Sequence, residues 1–161
     1  MGSFSTGAPG NSLSGPRQKE KHMTQTPNYQ KPVPIPDEAS KPFFDGAREH
    51  RLMIQQCSTC RSVMWPVKSR CDNCLSPNVI WVPASGRGTL YSFALMHQIY
   101  HPGFASEVPY NIAQVDLEEG LRILTNVVGC SNADLQIGMP LEVTFEEIAS
   151  DVTLPRFKPV G

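Results

Sequence analysis

The pattern CSTC, ten residues, then CDNC places Cys57, Cys60, Cys71 and Cys74 in two matched pairs, and it constrains this chain more than any other stretch. Each Cys-x-x-Cys lets two sulfurs on one tight turn face a common point. Two such turns brought together by a hairpin make a tetrahedral sulfur cage, which suits zinc bound by thiolates at about 2.3 Å. Two disulfides or a single redox pair would also use paired cysteines, but a redox motif comes once and normally opens a helix. The four cysteines are therefore read as ligands of one structural zinc ion. Four protein ligands fill the coordination sphere and leave no position for substrate or activated water, so the metal holds structure and does no chemistry.

At 161 residues the chain fits one ordinary domain or two very small ones, and 40% hydrophobic with 18% charged residues is a soluble, globular balance. No apolar run reaches the roughly 18 residues a membrane helix needs. The Gly-, Ser- and Pro-rich start lacks the apolar segment of a secretory signal. Paired thiols in such a chain point to a reducing compartment, so the expected location is cytoplasmic, without membrane association. Formal charge is 14 minus 15, or −1. Its distribution says more: from Val79 onward four basic residues (Arg87, Arg122, Arg156, Lys158) face nine acidic ones, giving −5. A nucleic-acid domain usually carries the opposite balance.

Residues 1–22 have no apolar period and end in His22-Met23, the pair a common cloning site leaves before a native start, so they read as a vector-derived or disordered tail. Residues 23–50 carry an extended proline-rich strip, YQKPVPIPDEAS, and then a short helix. Ser40 reads as its N-cap, Pro42 falls in the first turn, and Phe43, Phe44, Ala47 and Arg51 mark one face, with Gly46 as a weak point. Phe43 and Phe44 either pack on the chain's own body or dock in another subunit. Residues 51–80 form the zinc ribbon, with short strands around Leu52 to Gln56 and Val63 to Trp65. So small a unit cannot bury a self-sufficient core, and metal binding must supply much of its folding free energy.

From Trp81 the period becomes two. Tyr91, Phe93 and Leu95 alternate with Ser92, Ala94 and Met96, and Ala113, Val115 and Leu117 follow the same rule. The turn Glu118-Glu119-Gly120 makes a hairpin into LRILTNVV. Leu141, Val143 and Phe145 repeat the pattern, and a last extended piece covers Thr153 to Phe157. Residues 81–161 are therefore expected to form a five-stranded OB-fold barrel, making the chain mainly β.

The order of features resembles a known family. A proline-flanked helix with paired aromatics, a four-cysteine ribbon, a Trp, SGRGTLYSF, Pro109-Tyr110 and a G-x-P before the last long strand are similar to rubredoxin-like zinc ribbons joined to an acyl-CoA-associated OB-fold, domain of unknown function thirty-five. The resemblance covers about Asp37 to Phe157, and all four cysteines match. It implies a non-catalytic accessory subunit that associates with a thiolase, acyltransferase or thiolase-like aldolase and helps form or gate its acyl-CoA site. A subunit of an acyl-CoA hydratase complex, or a nucleic-acid-binding ribbon and OB-fold module, are the alternatives.

On that reading Arg87, His97, Phe104 and Tyr110 are candidate acyl-CoA or gate contacts, and Phe43 and Phe44 candidate partner contacts. Each has a plainer role. SGRG lacks the Lys-Ser/Thr of a phosphate loop and feeds a strand, so it suits a bulge or a tight lead into the barrel, though Arg87 could reach a phosphate. Phe104, in HPGFASEVP, caps the barrel end or gates a tunnel. His97 and His101 would lie about 13 Å apart on a continuing strand, too far to share a metal. Cys130 reads as a small buried hydrophobe. No general acid and base pair emerges for a free-standing enzyme.

Overall fold

The computed structural model describes residues 29–161. The expected tail, residues 1–22, and the start of the strip up to residue 28 lie outside the described residues. From Tyr29 to Pro36 the strip runs without regular structure along the chain's own surface, packing Tyr29 and Val33 against Ile148, Ala149 and Val152. It touches the loop at Pro102–Phe104 so closely that a Cβ on Gly103 would sit 2.4 Å from the Gln30 carbonyl oxygen. Lys31 Nζ meets Glu107 Oε1 at 2.7 Å and holds the same loop from its far end.

Helix α1 spans Lys41–Arg48, with Pro in its first turn. Ser40 stands at the N-cap but does not cap. Its hydroxyl accepts from the Asp37 N–H at 3.1 Å and its own N–H donates to Asp37 Oδ1 at 2.7 Å, a closed turn that feeds the helix. Arg51 lies past the helix, so the expected four-residue face stops at Ala47. Gly46 is a requirement here: a Cβ would fall 2.2 Å from Met53 Cγ, so the missing side chain lets α1 lie against the next strand.

That strand, β1 (Met53–Cys57), is flanked by β2 (Val63–Met64) and β3 (Val79–Pro83) in a three-stranded antiparallel sheet. β3 runs across the junction expected at residues 80 and 81. Trp81 thus pairs with Gln55 in the ribbon's sheet and does not open the barrel.

Strands β4 (Arg87–Met96), β5 (Tyr110–Leu117), β6 (Arg122–Thr125), β7 (Pro140–Ala149) and β8 (Val152–Pro159) form a curled antiparallel sheet in the order β6-β5-β4-β7-β8. Beyond β6 the chain bends back to make a parallel bridge between Val127 and Phe157, which brings the open edge toward β8. This is the mainly β, five-stranded OB-type arrangement read from the alternation. Asn111 holds the seam. Its side chain accepts from the Val127 N–H at 2.7 Å and donates to the Val127 carbonyl at 2.8 Å and to Asn132 Oδ1 at 2.9 Å.

Alternation on β5 is as expected, with Ala113, Val115 and Leu117 buried. On β4 it is not. A register shift between Leu90 and Ser92 leaves Leu90 buried and Phe93 packed against the core but turns Tyr91 outward, 47% exposed, beneath the Arg122 guanidinium. Gly86, at φ +75°, and Gly88 allow the tight lead into β4. A Cβ on Gly86 would strike Val143, and one on Gly88 the Asp116 carbonyl.

Ribbon and barrel share one core. Leu52 and Ile54 are 3% and 1% exposed and lie in the same cluster as Leu90, Val115, Leu141 and Phe157, with Val63, Trp65 and Val82 against it. A smaller cluster of Cys57, Met64 and Cys71 surrounds the knuckles.

Replacing Asn111 with Leu leaves the Val127 N–H and C=O buried without their partner. Unfolding in urea should show a loss of about 2–4 kcal/mol, since each unmatched buried group costs about 1–3 kcal/mol. A loss below about 0.5 kcal/mol would mean the seam is held by packing alone.

Candidate functional site

The four cysteines come together at the ribbon tip, their sulfurs all within 4.8 Å of one another. Cys57 Sγ lies 3.6 Å from Cys74 Sγ, and Cys60 Sγ lies 3.5 Å from Cys71 Sγ. A tetrahedron of thiolates at zinc's bond length has edges of about 3.8 Å, whereas a disulfide needs about 2.05 Å. The geometry therefore fits zinc and excludes disulfides in this arrangement.

The two knuckles are built alike. Cys57 N–H donates to the Ser62 carbonyl and Cys71 N–H to the Ser76 carbonyl, both at 2.9 Å. Arg61 and Leu75, each one residue past its pair, take positive φ of 65° and 59° to turn the chain back. Buried Gln55 ties the second knuckle to β1, accepting from the Lys68 N–H at 2.7 Å and donating to its carbonyl at 3.1 Å. Ser62, through its hydroxyl and its backbone N–H, holds the Cys60 thiol down at about 5. At Cys74 the Ser76 backbone favours the thiolate, but the crowding of Cys60, burial and the other sulfurs win, and the thiol is pushed up to about 12. Four sulfurs this close ionise together only if a divalent cation offsets their charge. Bound there, zinc would be held by Cys57, Cys60, Cys71 and Cys74 and would supply a structural cross-link.

A second feature lies between the strip and the barrel: an open groove of about 510 Å³. Tyr29, Pro32 and Pro34 form one wall, and Phe43 of α1 with Trp65 of the ribbon form another. Phe104, Tyr110, Ile112 and Leu124 line the barrel side. Phe43 and Trp65 stand 5.1 Å apart, centroid to centroid, and Phe104 stacks on Tyr110 at 5.2 Å. The β5 and β6 face is where OB-folds commonly take ligands. Arg156 is the charged residue of the lining, with Nε 3.0 Å from Glu146 Oε2 and a second bond to Asn126 Oδ1.

Of the candidate contacts, Phe104 and Tyr110 come together in this groove. Arg87 does not join them: it starts β4 beside the β5–β6 turn, while Tyr110 pairs with Met96 at the strand's other end. His97 is exposed just after β4 ends and lies outside the groove lining. The strand expected to separate His97 from His101 stops at Met96. His101 Nδ1 instead accepts from the Gly103 N–H at 3.1 Å, and neither His belongs to a metal-binding group among the described residues. Phe43 and Phe44 are half-buried against the chain's own body, Phe43 on Trp65 and Phe44 over Ile148 and Val152. Cys130, expected to be buried, is only half-buried at the edge of the core, and desolvation with the nearby Asp134 carboxylate pushes its thiol up. Sequence reasoning missed Tyr29, Trp65, Leu124 and Arg156. They meet only where strip, ribbon and barrel come together in the folded chain, and no local spacing announces that.

Chelating zinc should unfold the knuckles and leave the barrel standing, because Leu52 and Ile54 remain in its core. In hydrogen exchange, amides of residues 57–78 should lose protection while Leu90, Val115 and Leu141 keep theirs. Zinc affinity should fall as pH drops, since binding releases protons. Unchanged protection of residues 57–78 after complete zinc removal would show that the metal is not structural.

The family model described as the ChsH2 rubredoxin-like zinc ribbon domain matches residues 44–79, and that for the ChsH2 C-terminal OB-fold domain matches residues 81–146. The chain is 35% identical over 142 residues to a probable enoyl-CoA hydratase alpha subunit of Thermomonospora curvata, covering 88% of this chain and 44% of that protein. It thus spans under half the length of that relative. A DUF35 domain-containing scaffold protein of Methanocaldococcus jannaschii is 33% identical over 62% of this chain and 71% of its own length. Among solved structures, one titled Ltp2-ChsH2(DUF35) aldolase matches with a TM-score of 0.71 at 36% identity, covering 79% of this chain and 98% of that one. With its four ligand cysteines, shared core and curled five-stranded sheet, this chain belongs to the DUF35 family of ChsH2-type zinc ribbon and OB-fold proteins.

Proposed function

We propose that this chain is a non-catalytic, zinc-containing accessory subunit that associates with a thiolase, acyltransferase or thiolase-like aldolase and helps form that partner's acyl-CoA site, in a reducing, cytoplasmic setting. The observation that carries the reading is the groove itself. It is apolar and aromatic, placed on the ligand face of an OB-fold, and lined by no nucleophile with an adjacent base. A closed four-sulfur site adds no Lewis acid. Such a surface can hold or shape a substrate and needs another protein for the bond-breaking step. The names of relatives run the same way: an aldolase with ChsH2, and a benzoylsuccinyl-CoA thiolase subunit BbsA of Geobacter metallireducens, 31% identical over 70% of this chain and 69% of its own length.

Exposed apolar residues supply a docking surface without disturbing the core. Ile35 is 84% exposed on the strip, and Ile99 and Tyr100 are 54% and 65% exposed between β4 and β5. Phe43 and Phe44, already used internally, could add only their outer edges. Hydratase-named relatives, including a 3-oxo-4,17-pregnadiene-20-carboxyl-CoA hydratase alpha subunit of Mycobacterium tuberculosis, keep a hydratase partner as the second reading; this chain spans 32% of that protein. A nucleic-acid role is opposed by the barrel's −5 charge. The one aromatic it would offer on β4, Tyr91, lies under Arg122, which is itself paired with Asp116.

Co-expression with a thiolase-like protein of the same organism should give a complex that survives gel filtration. Paired Ile99→Glu and Tyr100→Glu changes should weaken it at least tenfold, as loss of interface anchors costs about 2 kcal/mol or more, with zinc content unchanged. A chain that stays monomeric beside every such protein, and turns over acyl-CoA alone, would refute the reading.

A further inference from the structure

We propose that the outer edge of β4 is a strand-addition site, built to take an extended, uncharged segment with basic flanks from a larger protein. This rests on the reading that a larger catalytic subunit binds this chain, and it states how that subunit attaches.

Backbone geometry identifies the kind of occupant. β4 pairs with β5 from Gly88 to Met96, but with β7 only from Arg87 to Thr89. Leu90 ends that second side, its N–H donating to the Met139 carbonyl at 3.0 Å and its carbonyl accepting from the Gly138 N–H at 2.8 Å. From Tyr91 to Met96 the β4 backbone has no hydrogen-bond partner other than β5 among the described residues. Alternate residues of a strand turn their N–H and C=O to opposite sides, so about half of this stretch presents an unmatched row of donors and acceptors to solvent. An added strand satisfies such a row along its whole length, which a helix does not.

Charge narrows the occupant further. Native sheet edges are commonly guarded by charged side chains or by proline. Residues 89–106 contain no Lys, Arg, Asp or Glu, and Pro102 lies beyond the strand. Tyr91, Leu95, Ile99 and Tyr100 are all exposed along this stretch, so apolar side chains flank the open backbone and run on past Met96. The docking residues Ile99 and Tyr100 are thus continuous with the edge. A second copy is a poor occupant, because pairing would bring together two barrels of −5 each. A segment uncharged in its middle and carrying Lys or Arg at its ends meets the neutral edge and the acidic body at once.

Amide hydrogen exchange on the zinc-loaded full chain reads the edge directly. In the free chain the amides from Tyr91 to Met96 should divide into a slow set bonded to β5 and a fast set facing solvent. The probe is a synthetic peptide of alternating threonine and valine with a lysine at each end. It should bind saturably and slow the fast set at least about tenfold. The same peptide N-methylated at every residue cannot pair, and one with glutamates in place of its lysines meets like charge. Each should bind at least about tenfold more weakly. Leu95→Lys, which places a charge on the edge at an exposed position, should weaken the lysine-ended peptide at least about tenfold with zinc content unchanged. Absence of a fast set in the free chain, no saturable binding, or equal binding of the N-methylated peptide would overturn the proposal. In a complex with the thiolase-like partner the fast set should become slow. A complex in which it stays fast would sink this inference and spare the proposed function; peptide pairing on a chain that takes no partner would do the reverse.

Discussion

One strand carries two obligations, and the architecture follows from that. β1 is buried on both sides. Ile54 enters the barrel's core beside Leu90 and Phe157, and Gln55 lies under the second knuckle. Fully burying a Leu or an Ile contributes about 1.5–3 kcal/mol. Two such residues, Leu52 and Ile54, supply a sizeable part of the about 5–15 kcal/mol that keeps a domain folded. The ribbon is thus seated on the barrel by hydrophobic burial, and the sulfur cage orders only what extends beyond β1. A ribbon standing apart from the barrel would owe nearly all its order to the metal; this one does not.

The groove is a product of the same seating. With β1 fixed, the end of β2 delivers Trp65 over the barrel, where it meets Phe43 from a helix that can approach only because Gly46 has no side chain. The barrel contributes Tyr110 and Leu124 from the outer side of β5 and β6, opposite the residues that fill its core. No single element owns the site. Its walls come from the strip, the helix, the ribbon, a loop and three strands, β5, β6 and β8.

What could be read from the sequence was what repeats or pairs locally. The Cys-x-x-Cys spacing carried the metal site whole, because ligand geometry is set within each four-residue turn. Period-two alternation carried the buried side of β5. It failed on β4, where the bulge at Leu90 to Ser92 shifts the count by one and turns Tyr91 to solvent; a bulge leaves no mark in hydrophobicity alone. The helix face ended early at Ala47, since the helix stops at Arg48 and the chain turns back through His50, at φ 56°, where the Arg51 N–H donates to the Gly46 carbonyl at 2.8 Å. The grouping of Phe104 with Tyr110 but not Arg87 was beyond reach. It depends on the run of β4, whose ten residues set Arg87 and Met96 about 30 Å apart. The asparagine seam was illegible for a related reason, as Asn111 and Val127 meet across a gap that only barrel curvature creates.

Gly103 has a mechanical side. Its backbone rests on the Gln30 carbonyl with no room for an intervening atom, and Lys31 reaches across to Glu107 at the other end of the same loop. Loop and strip are thereby geared together, and Phe104 is the tooth next to the contact. The strip that forms one wall of the groove is thus fixed to the loop that supplies Phe104, so the spacing of those two walls is held by contacts that lie outside the barrel's own sheet.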